Sequence, residues 1–285
     1  MIAVTGATGQ LGRLVIDALL KKVPASEIIA AVRSPEKASD LAALGVQVRK
    51  ADYGQPATLD TAFEGVDKLL LISSSEVGQR VAQHTAVIEA AKRAKVKLLA
   101  YTSLLHADKS SLGLGEEHRA TETLLRESGL PVVLLRNGWY TENYAASIAP
   151  AIVHGVFIGA VGDGRIASAT REDYAQAAAA VLTQENHAGK VYELAGDDSY
   201  TLAEFSAEIA RQSGKTVVYQ DLSETDFKQA LIGAGLPDGF AGLLADSDAG
   251  AAKGGLFDDS HTLSKLIGRP TTPYTKVIAA TLAAR

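Results

Sequence analysis

Through its first half this chain alternates short, almost uninterrupted apolar runs with longer stretches of helical period. That alternation dictates a parallel sheet covered on both faces. The runs fall at residues 2–4, 28–32, 46–48, 68–72, 98–101 and 132–135. Helical stretches lie between them at 11–20, 34–44, 56–63, 77–94 and 115–126. A strand buried on one face would alternate apolar with polar residues; apart from Val46-Gln47-Val48 these runs do not, so helices must pack on each side. The expected fold is α/β, a Rossmann-type doubly wound parallel sheet over residues 1–136, with a smaller C-terminal α/β lobe over 137–285. Some segments of the second half are expected to return to the first domain. After Arg136 the alternation loosens: 137–170 reads as loops, 173–182 as a helix and 191–194 as a short strand. Residues 201–212 read as a helix opened by Thr201 and Glu204 in capping-box spacing. The remainder reads as small helices around glycine-rich loops, notably 250–257.

The first turn of the chain is Gly6-Ala7-Thr8-Gly9-Gln10-Leu11-Gly12. Alone, a G-x-x-G-x-x-G spacing is a weak signal in a chain with 26 glycines. Its context makes it specific, because it follows an apolar strand directly and opens an amphipathic helix. Gly6 permits the tight turn, Gly9 lets backbone approach a pyrophosphate, and Gly12 allows close helix–sheet packing. The first amides of the helix then face the phosphates, aided by the helix dipole. This is a dinucleotide site in expectation. An NAD site carries Asp or Glu at the end of the second strand. Here that stretch is Ala30-Ala31-Val32-Arg33-Ser34, without an acid. The planar fork of Arg33 suits a 2′-phosphate, with Ser34 and Lys37 able to assist, so NADPH is expected and NADH is the poorer donor.

A net charge of −5 argues against general nucleic-acid binding. No apolar run is long enough for membrane insertion, and the first residues lack the pattern of a signal peptide, so a cytoplasmic location is expected. The chain has no cysteine and its six histidines form no ligand cluster. Thiolate chemistry and a metal site are therefore not expected, and redox work falls to a bound cofactor. Oligomeric state is left open, including a homo-oligomer.

Ordinary short-chain dehydrogenases pair tyrosine with a lysine four residues on, the lysine lowering the tyrosine pKa for acid–base work. None of the nine tyrosines here has that lysine. The helix that would carry it reads Glu116-Glu117-His118-Arg119-Ala120-Thr121-Glu122, preceded by Thr102-Ser103 at a strand end. Alcohol dehydrogenation and sugar epimerisation become poor readings. His118, near the missing tyrosine, and Tyr140 are weak candidates for a proton donor. An acceptor needing little acid help remains, and a quinone fits: its ring stabilises the hydroquinone anion once hydride arrives. Positioning against the nicotinamide would then supply most of the catalysis.

Four runs carry a resemblance: Ala3 through Gly12, Leu71-Ile72-Ser73-Ser74-Ser75-Glu76, Arg136-Asn137-Gly138-Trp139-Tyr140, and Lys253-Gly254-Gly255-Leu256-Phe257-Asp258-Asp259. They resemble the NAD(P)H:quinone oxidoreductases of the NmrA-like, atypical short-chain dehydrogenase family, over essentially the whole chain. The resemblance implies a small-molecule quinone as acceptor, with no flavin. It implies cofactor contacts from Gly6, Ala7, Thr8, Gly9, Gln10, Leu11, Arg33, Ser73, Ser74, Ser75, Asn137, Gly138, Trp139 and Tyr140. Arg171 either touches the cofactor or stands at a helix start. Triphenylmethane dye reductases are more distantly similar, so reduction of another planar electrophile is the alternative chemistry. A regulator that senses NADP(H) without turnover is the alternative of another class.

Overall fold

The structure is a computed structural model and describes residues 1–284. In chain order its elements are β1 (Ile2–Thr5), α1 (Gln10–Leu20), β2 (Ile28–Val32), α2 (Ser39–Ala43), β3 (Gln47–Lys50), α3 (Pro56–Ala62), β4 (Lys68–Leu71) and α4 (Arg80–Arg93). Then come β5 (Leu98–Leu104), α5 (Leu114–Glu127), β6 (Val132–Asn137), α6 (Thr141–His154), β7 (Val156–Gly159), α7 (Arg171–Thr183) and β8 (Val191–Leu194). The chain ends with α8 (Leu202–Ser213), β9 (Val218–Asp221), α9 (Glu224–Gly233), α10 (Asp238–Ala252), α11 (Thr262–Ile267) and α12 (Tyr274–Ala283). Two compact units emerge. One comprises residues 1–104, 117–137 and 171–192; the other comprises 105–116, 138–170 and 193–284.

The large sheet has the order β3-β2-β1-β4-β5-β6-β8, and the pairs from β3 through β6 are parallel. Period-two alternation explains why its strands look uniformly apolar. Ala3, Ile29, Ala31, Leu69, Leu71, Leu99 and Tyr101 point to one face, where they join Leu59 and Ala62 of α3 and Val87, Ile88 and Ala91 of α4 in a buried cluster. Val4, Ala30, Leu70 and Ala100 are fully buried on the other face. There α1 packs on β1 and β2, and α7 packs on β4, β5 and α1. The order reverses between β1 and β4, and ligands of open α/β sheets bind outside the carboxyl ends of the strands at such a point.

The second unit contains a parallel pair, β7 with β9. Residues 137–170, expected as loops, instead contain α6 and β7. An interior Pro150 and several alanines obscure the period of α6, but Thr141, Tyr144, Ile148 and Ala151 form its buried stripe. Similarly α10 continues through Gly250 to Ala252, further into the glycine-rich stretch than its composition suggests. The capping box at Thr201 and Glu204 is present in full.

Candidate cofactor site

The glycine turn is built as the spacing requires. Gly6 adopts φ +59°, which a residue with a side chain rarely tolerates, and its carbonyl accepts the N–H of Gly9 at 2.9 Å. A Cβ on Gly12 would lie 2.3 Å from the Gly6 carbonyl oxygen and 2.7 Å from the Ala7 Cα, so α1 sits directly on the turn. Ala7 and Leu11 are buried, whereas Gly6, Gly9 and Gln10 are exposed. Gly9 is the N-cap of α1 and offers no side-chain cap, nor is there an acid in the first helical turn. The leading amides therefore present a partial positive charge without an internal anion, which suits a pyrophosphate.

Past β4, each backbone N–H is taken by a side chain from a different element. Ile72 donates to Thr5 Oγ1 at 3.0 Å, Ser73 to Thr102 Oγ1 at 2.8 Å, and Ser74 to His84 Nε2 at 2.9 Å. Tyr53 donates its hydroxyl to Thr5 Oγ1 at 2.6 Å, and Arg80 Nε donates to the Ser74 carbonyl at 2.7 Å. Because His84 Nε2 accepts, the bonding assigns the proton to Nδ1, which donates to Thr121 Oγ1 at 3.0 Å. Burial, reinforced by the Arg80 charge, lowers the His84 pKa to about 3, so the ring is neutral and can accept. These contacts set the path of Ser73, Ser74 and Ser75.

His118, the weak proton-donor candidate, lies inside the first unit. It is 6% exposed, and its Nδ1 lies 2.7 Å from the Tyr101 hydroxyl. Burial and then the charge of Arg80 lower its pKa to about 3, so the ring is the neutral imidazole near neutrality. Ser103 is also enclosed, donating to Glu122 Oε1 at 2.6 Å. Asn137 ends β6 and is 6% exposed, with no hydrogen-bond partner for Oδ1 among the described residues. At the carboxyl end of a strand, that oxygen has a lone pair to offer a polar ligand. Arg171 opens α7. Arg33 follows β2 and is exposed.

Gly138, Trp139 and Tyr140 belong to the second unit. Trp139 is 7% exposed and packs 6.3 Å from Tyr144, which adjoins Phe157 and Phe205. Its indole is thus part of an aromatic core. Tyr140 is the N-cap of α6, half-buried, and bridges Ala169 through its backbone.

The model of the NmrA-like family matches residues 1–270. The chain belongs to the NmrA-like family. Quinone oxidoreductase 2 of Escherichia coli is 64% identical over 279 residues, 98% of each chain. The crystal structure of the NADPH-dependent quinone oxidoreductase from that organism, complexed with NADPH, superposes with a TM-score of 0.97 at 63% identity, covering 99% of this chain and 100% of the other. The triphenylmethane reductase of a Citrobacter species, complexed with NADP(H), superposes at 0.95 with 42% identity, covering 99% and 100%.

Within this NmrA-like chain, sequence reading missed the residues that shape the β4–α4 segment: Thr5, Tyr53 and His84 carried no motif. Thr102 stood out only as a strand end. The place of Glu76 beside Arg33 was missed as well. The strand order places the ends of β2 and β4 at the same sheet edge, on either side of β1.

Proposed function

We propose that this chain is a cytoplasmic NADPH-dependent quinone oxidoreductase that passes hydride from the nicotinamide directly to a small-molecule quinone. The 64% identity to Quinone oxidoreductase 2 over nearly the whole length carries the reading. The glycine turn, the uncapped start of α1 and the orphaned Asn137 oxygen fit a dinucleotide. Backbone amides from Gly6 to Leu11 would hold the pyrophosphate, Arg33 the 2′-phosphate, and Ser73 to Ser75 with Asn137 the remaining polar edges. When bound, NADPH supplies a hydride; quinone, NADPH and one proton yield hydroquinone and NADP⁺.

The chain's own task is to bind, orient and exclude side reactions. With His118 neutral and enclosed and no Tyr-x-x-x-Lys pair, the proton comes from solvent after hydride arrival. The test is NADPH oxidation by the purified protein, without added flavin, against a panel of quinones and a triphenylmethane dye. Oxidation should require an acceptor, with quinones the faster substrates. Binding of NADPH without turnover on any acceptor would instead make the chain a sensor.

The same reading predicts mild effects at the former donor candidates. His118→Ala, Ser103→Ala and Tyr140→Phe, assayed well below their melting temperatures, should each lose less than the roughly 10²–10⁴-fold typical of a missing general acid. A collapse of kcat in one of them, with both substrates still binding, would overturn the solvent-proton step.

A further inference from the structure

Arg33 is not alone at the end of β2. Its Nη1 donates to Glu76 Oε1 at 2.9 Å, and the second oxygen of that carboxylate accepts Gln83 Nε2 at 2.8 Å. The Glu76 N–H donates to Ser74 Oγ at 3.1 Å, and the Ser74 hydroxyl donates to Gln83 Oε1. Gln83 therefore holds both the serine hydroxyl and the carboxylate, and the acid is aimed at the guanidinium by the segment that follows β4. Two other arginines of this unit are committed elsewhere. Arg80 bonds Glu117 and the Ser74 carbonyl, while Arg13 bonds Asp40 and the Lys37 carbonyl. An NAD-selective site places an acid on β2 itself. Here β2 has none, and an acid arrives from another strand onto the arginine that would read the 2′-phosphate.

We propose that Glu76 is a specificity-determining residue that sets the preference between NADPH and NADH. This rests on Arg33 as the reader of the 2′-phosphate. A phosphate monoester carries a charge of about −1.5 to −2 near neutrality. To reach Arg33 it must displace the Glu76 carboxylate and then tolerate a like charge a few ångströms away. NADH brings no such charge, and its 2′-hydroxyl can donate to a carboxylate. Glu76 thus holds NADPH affinity below what Arg33 alone would allow and keeps NADH usable. The Arg33 and Glu76 side chains are 70% and 48% exposed, so solvent and salt screen the effect.

The experiment titrates NADPH and NADH into the wild type, Glu76→Gln and Arg33→Ala, each at low and high salt. Glutamine retains hydrogen bonding toward Arg33 and Gln83 but removes the charge. Glu76→Gln should raise the NADPH-over-NADH preference about threefold to tenfold at low salt, and less at high salt. A merely structural role would weaken both dinucleotides alike, so an unchanged or reduced preference overturns the proposal. Arg33→Ala separates the two readings. It should weaken NADPH about tenfold while leaving NADH nearly unchanged. Equal losses there would remove Arg33 as the phosphate reader. A selective loss there, with no change in preference for Glu76→Gln, would sink the role of Glu76 alone.

Discussion

Alanine at Gly12 should abolish measurable dinucleotide binding, a loss of at least about 100-fold or ~2.7 kcal/mol. The added Cβ would sit 2.3 Å from the Gly6 carbonyl oxygen, a backbone atom that cannot swing aside. Gly6 is held at φ +59° and closed by the Gly9 hydrogen bond, so α1 must move off the turn and carry its leading amides with it. Overpacking of this kind costs about 1–3 kcal/mol, and a lower melting temperature should accompany the loss. Because destabilisation alone could mimic a binding defect, Gly9→Val is its partner. Gly9 has φ −75°, is exposed, and its Cβ would meet the Gly6 oxygen at 3.2 Å. That strain is modest, yet the side chain would occupy the approach of the pyrophosphate. Gly9→Val should therefore melt within a few degrees of the wild type and still fail to bind. Normal NADPH affinity in a folded Gly9→Val protein would mean that the phosphates lie elsewhere.

Much of the fold was legible because strands buried on both faces have a plain signature. The runs at 28–32, 69–72 and 98–101 are apolar throughout, and each became a central strand of the large sheet. The signature failed where burial is partial or the helix is built from small residues. In β9 only Tyr219 is even half-buried, and no alternation marks the strand. In α6 a proline and alanines conceal a stripe that only its packing reveals. At the candidate site, Gly6 and Gly12 were readable because backbone geometry leaves no other residue acceptable. Side-chain partnerships were not. His118 looked available by its place in the chain, but Tyr101, seventeen positions earlier, encloses it. The pairing of Arg33 with Glu76 spans 43 positions and follows from strand order, which local sequence patterns do not encode.

Glu122→Ala should be the most destabilising single change in the first unit, costing about 3–5 kcal/mol in urea or thermal unfolding. The carboxylate is 1% exposed and receives Arg136 in a two-pronged contact, Nε to Oε1 at 2.9 Å and Nη2 to Oε2 at 2.7 Å. Ser103 and Arg126 add bonds of 2.6 Å each. Arg136 is itself 6% exposed, so truncating the acid removes the two-pronged partner of a buried guanidinium. Arg126 is 56% exposed and can turn to water, so it adds little to the loss. The cost arises from taking one charged member out of a buried, hydrogen-bonded network rather than from the pair's intrinsic strength. Replacing both members, Glu122→Leu with Arg136→Met, should therefore recover most of the stability lost by the single change. Arg136 also precedes Asn137 at the end of β6, where the orphaned oxygen lies. The double variant should accordingly fold and yet bind NADPH more weakly if the ion pair orients that strand end. A single Glu122→Ala variant that melts like the wild type would show that the buried pair contributes nothing to the fold.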